Sequence, residues 1–195
     1  MAHLKFIREA KDSHLLLLGI VEEGESANYT VNTVTFREIG SPSVGDELNS
    51  SQMSSITYAD QLIKAKKKAL SILAYADNNR KNLALKLSRA GFSREIVDSV
   101  CDEMVELGYI NERNQLERLI LIEANRKLRG PSRIVAFLVS KGYSSSKIKE
   151  VMSMLVREGE IDFNSNARAL LEKKMPDDAD EDEVKKILYK NGFKI

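Results

Sequence analysis

Four cations, Arg126, Lys127, Arg129 and Arg133, crowd the eight residues around Gly130-Pro131. An arginine fork grips a phosphate or a carboxylate through two parallel hydrogen bonds, and a lysine adds a point charge. A loop and helix start carrying four such groups suits an anionic partner: nucleic acid, or an acidic protein surface. Lys64, Lys66, Lys67 and Lys68 form a second cluster, Arg80 and Lys81 a third, and Lys141 follows at the end of the next apolar stretch. A solvated helix face, with alkyl stems lying over apolar neighbours, accounts for many such residues equally well. Tyr109 and Tyr143 have rings able to stack on bases, and packing at a helix end is the plainer role for both.

Catalytic chemistry is hard to assemble. His3 and His14 are the only histidines and both precede the cationic stretches. There is no Gly-rich phosphate loop of the Walker type and no glycine triplet of the dinucleotide type. The acidic run Asp177-Asp178-Ala179-Asp180-Glu181-Asp182-Glu183 lacks the turn glycine and the terminal glutamate spacing of a calcium loop. A solvated loop leading into a helix start explains it better, because carboxylates favour a helix N-terminus. The single cysteine, Cys101, excludes an intramolecular disulfide framework and a multi-cysteine metal site, and its surroundings suit burial in a helix. The expectation is a protein that is not an enzyme, with no cofactor and no metal. The longest apolar run, Leu15 to Val21, has seven residues, against the ~20 a membrane helix needs. The first residues lack the pattern of a signal peptide. A cytoplasmic protein with no membrane partner is expected.

The elements that must hold these cations are helices. The hydrophobic fraction, 43%, supports a packed core, and the chain has no tryptophan and three prolines, which fits helices better than a β-sandwich. The net charge of +1 hides an asymmetry. Residues 1–60 carry 4 basic and 9 acidic side chains, and residues 61–141 carry 16 basic and 9 acidic ones. Such a local excess can draw in polyanions. In the first sixty residues, His14 to Val21 and Tyr29 to Phe36 read as extended, with a turn at Glu22 to Ser26. From about Ser50 the helical period takes over. A helix capped by Ser54 or Ser55 is expected to run to Asp77 with Ile63, Leu70, Leu73 and Ala74 inward. Further helices are expected over Arg80 to Ala90, from Ser93 to Leu107, and over Glu112 to Leu128, followed by one beginning at Pro131. Ser144 to Ser146 cap the next helix, and Met175-Pro176-Asp177-Asp178 mark a break.

A tripeptide returns three times at intervals of 51 and 50 residues: Ala90-Gly91-Phe92, Lys141-Gly142-Tyr143 and Asn191-Gly192-Phe193. A period of that size indicates repeated supersecondary units. Leu83, Ile134 and Val184 stand eight residues before the three glycines, and Gly108 and Gly159 stand seventeen after the first two. The fold class expected is mainly α, with tandem three-helix, helix-turn-helix-like units in an elongated array behind a small β-containing N-terminal module. The expected boundaries are 1–58 for that module, 59–110 and 111–161 for two repeats, and 162–195 for an incomplete third.

The order and spacing of these residues resemble the RecX family of recombination regulators over residues 60–195. Ala69-Leu70 and Leu73-Ala74 resemble the family's opening helix. Gly108-Tyr109-Ile110-Asn111-Glu112 is similar to its junction between units. Arg126 with Gly130-Pro131-Ser132-Arg133-Ile134, Leu138 and Lys141-Gly142-Tyr143 resembles its most characteristic stretch. The chain departs from the family at Asn111-Glu112, where an Asp-Asp pair is usual, and at Leu116-Glu117, where an aromatic-alanine pair is usual. The resemblance implies a non-catalytic regulator that lodges on the RecA filament on DNA and inhibits strand exchange, ATP hydrolysis and the co-protease activity of the SOS response. It makes Lys66, Lys67, Lys68, Arg80, Lys81, Arg126, Lys127, Arg129, Arg133 and Lys141 the candidate contacts to RecA or to single- or double-stranded DNA, in a monomeric protein. A stand-alone helical DNA-binding protein is the alternative, although no single helix combines base-reading Arg, Asn and Gln with a phosphate-contacting pattern.

Overall fold

The computed structural model describes residues 1–10, 14–175 and 180–194. Among them are four strands and nine α-helices, so the chain is mainly helical with a strand-built N-terminal module, as expected. The chain divides into two compact units, Met1–Ala76 with Leu83–Glu106, and Asp77–Asn82 with Leu107–Ile195.

In the first unit β1 (Ala2–Glu9), β2 (Leu15–Glu22), β3 (Glu25–Asn32) and β4 (Glu47–Leu48) form an antiparallel sheet in the order β3-β2-β1-β4. Strand β1 is not among the sequence-based expectations, although its start alternates buried Ala2 and Leu4 with exposed His3 and Lys5. Glu23 and Gly24 both take positive φ, 50° and 89°, in the two-residue hairpin between β2 and β3. Of the stretch Tyr29 to Phe36, expected to be extended, only Tyr29 to Asn32 is strand. The strand ends at Asn32, whose side chain accepts a 2.7 Å hydrogen bond from the Thr35 N–H and caps helix α1 (Thr33–Glu38). Asparagine at an N-cap outweighs the extended preference of the β-branched residues that follow.

Helix α2 (Ser50–Tyr75) also starts earlier than expected. Asn49 and Gln52 form a capping box, each side chain accepting from the other's N–H at 2.9 Å. Its buried face is Ile56, Ala59, Ala65 and Ala69, whereas Leu70, expected inward, is 39% exposed. Buried Asp60 accepts from the Thr30 N–H at 3.0 Å and pairs with Lys64 at 2.6 Å, fastening α2 to strand β3. Helix α4 (Arg94–Glu106) buries Ile96, Val97, Val100, Cys101 and Met104. Leu107, expected as the last residue of this helix, lies beyond its end and is exposed.

Helix α3 (Arg80–Arg89) opens in the second unit and closes in the first. The second unit contains α5 (Glu112–Leu121), α6 (Pro131–Ser140), α7 (Ser145–Arg157), α8 (Phe163–Lys174) and α9 (Glu181–Lys190). Leu116, Ile120, Ile134, Leu138, Ile148 and Leu155 are central to its core. The helix expected to run unbroken from Glu112 to Leu128 widens into a π turn over Ile122–Arg126, and Leu128 closes it in the left-handed region at φ 51°. The expected break at Pro176 to Asp178 and the first half of the acidic run, Asp177 to Ala179, lie outside the described residues. The second half begins a helix, with Asp180 accepting from the Glu183 N–H at 2.8 Å.

The three glycine–aromatic tripeptides build one local structure. Gly91, Gly142 and Gly192 have φ of 93°, 95° and 89°. The aromatic N–H that follows each returns to the carbonyl five residues back: Phe92 to Leu87 at 3.4 Å, Tyr143 to Leu138 at 3.2 Å, Phe193 to Leu188 at 3.0 Å. This is the Schellman ending, in which a left-handed residue lets the chain satisfy its last helical carbonyls. In the second unit two of these turns close on helix starts at matching positions. The Lys141 carbonyl accepts from Asn79 Nδ2 at 2.9 Å and Asn82 Nδ2 at 3.0 Å. Fifty-one positions beyond those asparagines stand Gly130 and Arg133. The Gly130 N–H donates to the Asn191 carbonyl at 2.8 Å, the Ser132 hydroxyl to the Gly192 carbonyl at 2.7 Å, and Arg133 Nη1 to the Lys190 carbonyl at 2.5 Å. Gly130 has no room for a Cβ, because it would overlap the Gly192 carbonyl group; at Gly192 a Cβ would meet Arg133 backbone nitrogen at 2.5 Å.

Candidate interaction surface

Helix α6 carries a side-chain row at four-residue spacing, so Arg133 and Phe137 share one face, with Arg129 and Lys141 continuing the interval at either end. The Phe137 ring gathers three cations: the Arg129 guanidinium lies 5.2 Å from its centroid, Lys141 Nζ 5.5 Å and Lys127 Nζ 5.7 Å. The negative face of an aromatic ring attracts such groups, each contact being worth about 0.5–1 kcal/mol when exposed. Their mutual repulsion is relieved from below by Glu123. Its side chain is 2% exposed, accepts from Lys127 Nζ at 2.6 Å and also pairs with Arg129. A buried carboxylate must be paired and hydrogen-bonded, and the π turn that carries Glu123 is followed directly by the two cations that satisfy it.

Two of the ten candidate residues thus have a structural duty: Lys127 and Arg129 neutralise Glu123 while crowning Phe137. Lys141 completes the cluster at the ring, and Arg133 stands on the same helix, held through its contact to the Lys190 carbonyl. Arg126 is exposed at the end of the π turn. Arg80 and Lys81 open α3, where the Arg80 N–H donates to Glu112 Oε1 at 3.2 Å. Lys66, Lys67 and Lys68 lie in the first unit, on α2. Lys66 pairs there with Glu103 at 2.7 Å, and Lys67 and Lys68 are exposed. Phe137 and Glu123 shape the surface without being among the sequence-based candidates. The signals for them were the four-residue interval from Arg129 to Lys141 and the four-residue step from Glu123 to Lys127.

Beside this cluster lies a polar network. The Tyr143 hydroxyl donates to Gln115 Oε1 at 2.9 Å, and Gln115 Nε2 donates to the Asn78 carbonyl at 3.3 Å. Asn78, Asn79 and Gln115 are all buried. Burial raises the Tyr143 phenol above its ordinary range, with the nearby Glu112 carboxylate adding to the effect. Tyr143 therefore serves the fold, the plainer of its two expected roles. Tyr109 is exposed.

No helix among the described residues is long and apolar enough to cross a membrane. The fold and surface define a mainly helical protein with a strand-built N-terminal module and a pre-ordered ridge of cations on its second unit. No family model matches the chain. A regulatory protein RecX of Clostridioides difficile is 33% identical over 130 residues, which are 67% of this chain and 59% of that relative, so the match spans about three fifths of the relative's length. A regulatory protein RecX of Caldanaerobacter subterraneus subsp. tengcongensis is 29% identical over 174 residues, 89% of this chain and 85% of its own. The crystal structure of a regulatory protein RecX shares the fold with a TM-score of 0.74, covering 100% of this chain and 95% of that one at 22% identity. That of RecX from Lactobacillus salivarius gives 0.59 over 70% of this chain at 20% identity. The chain is thus similar in sequence to RecX regulatory proteins and shares the fold of RecX crystal structures.

Proposed function

We propose that this chain is a non-catalytic regulator of the RecA recombinase, binding the RecA–DNA filament and inhibiting strand exchange, ATP hydrolysis and the co-protease activity of the SOS response. The observation that carries this reading is the kinship with RecX regulatory proteins, which in one relative extends over 89% of the chain. The cation ridge supports it physically. Lys127, Arg129 and Lys141 are already held at the Phe137 ring, so little of their side-chain entropy is lost on meeting acidic filament surface, and exposed Arg126 precedes them in the chain. Repeat units over 59–110, 111–161 and 162–195, behind a module over 1–58, would offer many modest contacts to successive RecA protomers. Inhibition then follows from blocking protomer movement or promoting loss of the filament. The protein acts in the cytoplasm as a monomer.

Co-sedimentation with RecA filaments on single-stranded DNA tests the reading. The chain should pellet with filaments and stay in solution with RecA alone. Reversing charge at the two ridge positions that pair with no carboxylate among the described residues, Arg126→Glu with Lys141→Glu, should weaken pelleting at least tenfold while leaving helicity intact. Unchanged pelleting of that variant would move the interface elsewhere on the chain.

A further inference from the structure

The sheet of the first unit has two edges, and they are treated differently. The β1 edge is covered by β4 at Ala2 and His3, and beyond them it carries Lys5, Arg8 and a shift of register between Leu4 and Phe6. Charges and register breaks of that kind keep an edge from pairing with a foreign strand. From Ser26 to Val31 the β3 edge has no charged residue, no proline and no shift of register. The Thr30 N–H points away from β2, because it donates to Asp60 Oδ1 at 3.0 Å. Outward groups alternate along an antiparallel strand, so Ser26 and Asn28 also turn their N–H and C=O outward. Neither N–H has a partner among the described residues. Beside this edge lies a groove of about 700 Å³, whose lining includes Tyr29, Met53, Thr57, Tyr58 and Ile96. It shares Glu22 and Tyr29 with a recess of about 440 Å³ at the hairpin end, where Glu23, Glu25 and Ala27 join them. Glu22, Glu23 and Glu25 are the charged residues of these linings, and they pair with no cation among the described residues.

We infer that the β3 edge is a docking site for a basic, extended peptide segment of a partner protein, which adds to the sheet as a further strand. Main-chain hydrogen bonds to Ser26 and Asn28 hold the segment, and the groove reads its alternate side chains. The carboxylates decide among partners. A nucleic acid or an acidic segment would meet Glu22, Glu23 and Glu25 with like charge and no cation to offset it. A second copy of this chain, paired edge to edge, would bring two acidic hairpins together. A segment bearing Lys or Arg at the hairpin end satisfies the carboxylates. Side chains of a strand alternate between faces, so its residue two positions further on returns to the same face and meets Ala27, Tyr29 and Tyr58. Asp60 ends the site, because its carboxylate already occupies the Thr30 N–H. The added strand therefore runs along Glu25 to Tyr29, about 17 Å at the rise of about 3.4 Å per residue. This surface lies in the first unit and has the opposite charge to the cation ridge. The inference thus goes beyond the RecA reading and is tested without RecA.

The test is fluorescence anisotropy of a labelled peptide, Thr-Arg-Thr-Val-Thr-Arg-Thr, with the full chain. Its sequence reads the same in both directions, so it presents both arginines and the valine to one face in either orientation. The wild type should bind it, with affinity falling as salt rises. Glu22→Lys with Glu25→Lys should weaken binding about tenfold or more. Asn28→Pro should also weaken it about tenfold or more, because proline removes an outward donor and blocks the edge while leaving the bonds to β2 in place. N-methylation of the peptide at its two inner threonines, compared with N-methylation at its two arginines, should abolish binding in one case and spare it in the other, since alternate N–H groups face β3. Circular dichroism checks that the variants are folded; if Asn28→Pro is not, the methylated peptides still report on the edge. Five results overturn the inference: no binding by the folded chain, equal affinity of folded Asn28→Pro, equal affinity for a peptide with glutamate in place of arginine, equal effects of the two N-methylations, or a dimer of this chain that Asn28→Pro dissolves. None of them touches the RecA reading, whose failure would appear in the filament assays instead.

Discussion

Glu123 governs how many of the ridge cations are free to act. It is buried, and it draws Lys127 and Arg129 onto Phe137, leaving Lys141 and Arg126 to face outward. Glu123→Gln keeps the shape and removes the charge. Because Lys127 and Arg129 keep 48% and 25% of their side-chain exposure, solvent screens part of the loss, and the expected destabilisation is about 1–3 kcal/mol. Urea unfolding measures it, and an unchanged midpoint would show that the three cations do not need the carboxylate. Tyr143 supplies a second residue-scale prediction. Its folded phenol titrates above the usual value, chiefly through burial and then through Glu112. Below about pH 10 both folded and unfolded forms keep the proton. Above that the unfolded chain ionises first, so stability is lost as pH rises toward the folded value. Tyr143→Phe should flatten the fall in stability measured between pH 9 and 11. The role of Tyr143 was only half legible in the sequence, since the ring at a helix end follows from the tripeptide but the Gln115 partner, 28 positions away, does not.

At the scale of elements, the glycine turns separate backbone conformation from close contact. Gly91 and Gly192 share the same left-handed conformation, but a Cβ at Gly91 meets open space and one at Gly192 meets the Arg133 backbone. Gly91→Ala should cost about 1 kcal/mol, the conformational term alone. Gly192→Ala should cost roughly 2–4 kcal/mol, because the last turn must also lift off α6. Equal losses in thermal or urea unfolding would show that the contact bears no strain. These turns were readable because a positive φ near 90° strongly favours glycine, and the aromatic beside it repeats. Less was readable where one side chain redirects the chain. Asn32 turns a β-branched run into α1, and Asn49 with Gln52 starts α2 ahead of the serines that looked like caps. The π turn left no period to detect, yet it places Glu123 beneath the cations. The inward face of α2 uses alanines rather than Leu70, which hydrophobic ranking puts the other way round.

For the molecule as a whole, the sequence already separates a net acidic first sixty residues from a basic stretch after it, and the structure shows how part of that basic excess is arranged. Lys66 is absorbed in an ion pair in the first unit, whereas Lys127, Arg129 and Lys141 converge on one ring in the second. The candidate cations were therefore legible as residues but not as a cluster, because convergence on Phe137 depends on the π turn and on the end of α6. An anionic partner met through such a ridge should be lost as salt rises, since exposed charges are screened over about 10 Å at 0.1 M. The most direct measurement is the DNA-dependent ATPase of RecA from the same source, titrated with this chain at moderate salt. Hydrolysis should slow at sub-stoichiometric to equal ratios, and Arg126→Glu with Lys141→Glu should relieve the inhibition. Unaltered hydrolysis in the presence of equimolar, demonstrably folded protein would rule out RecA inhibition by this chain.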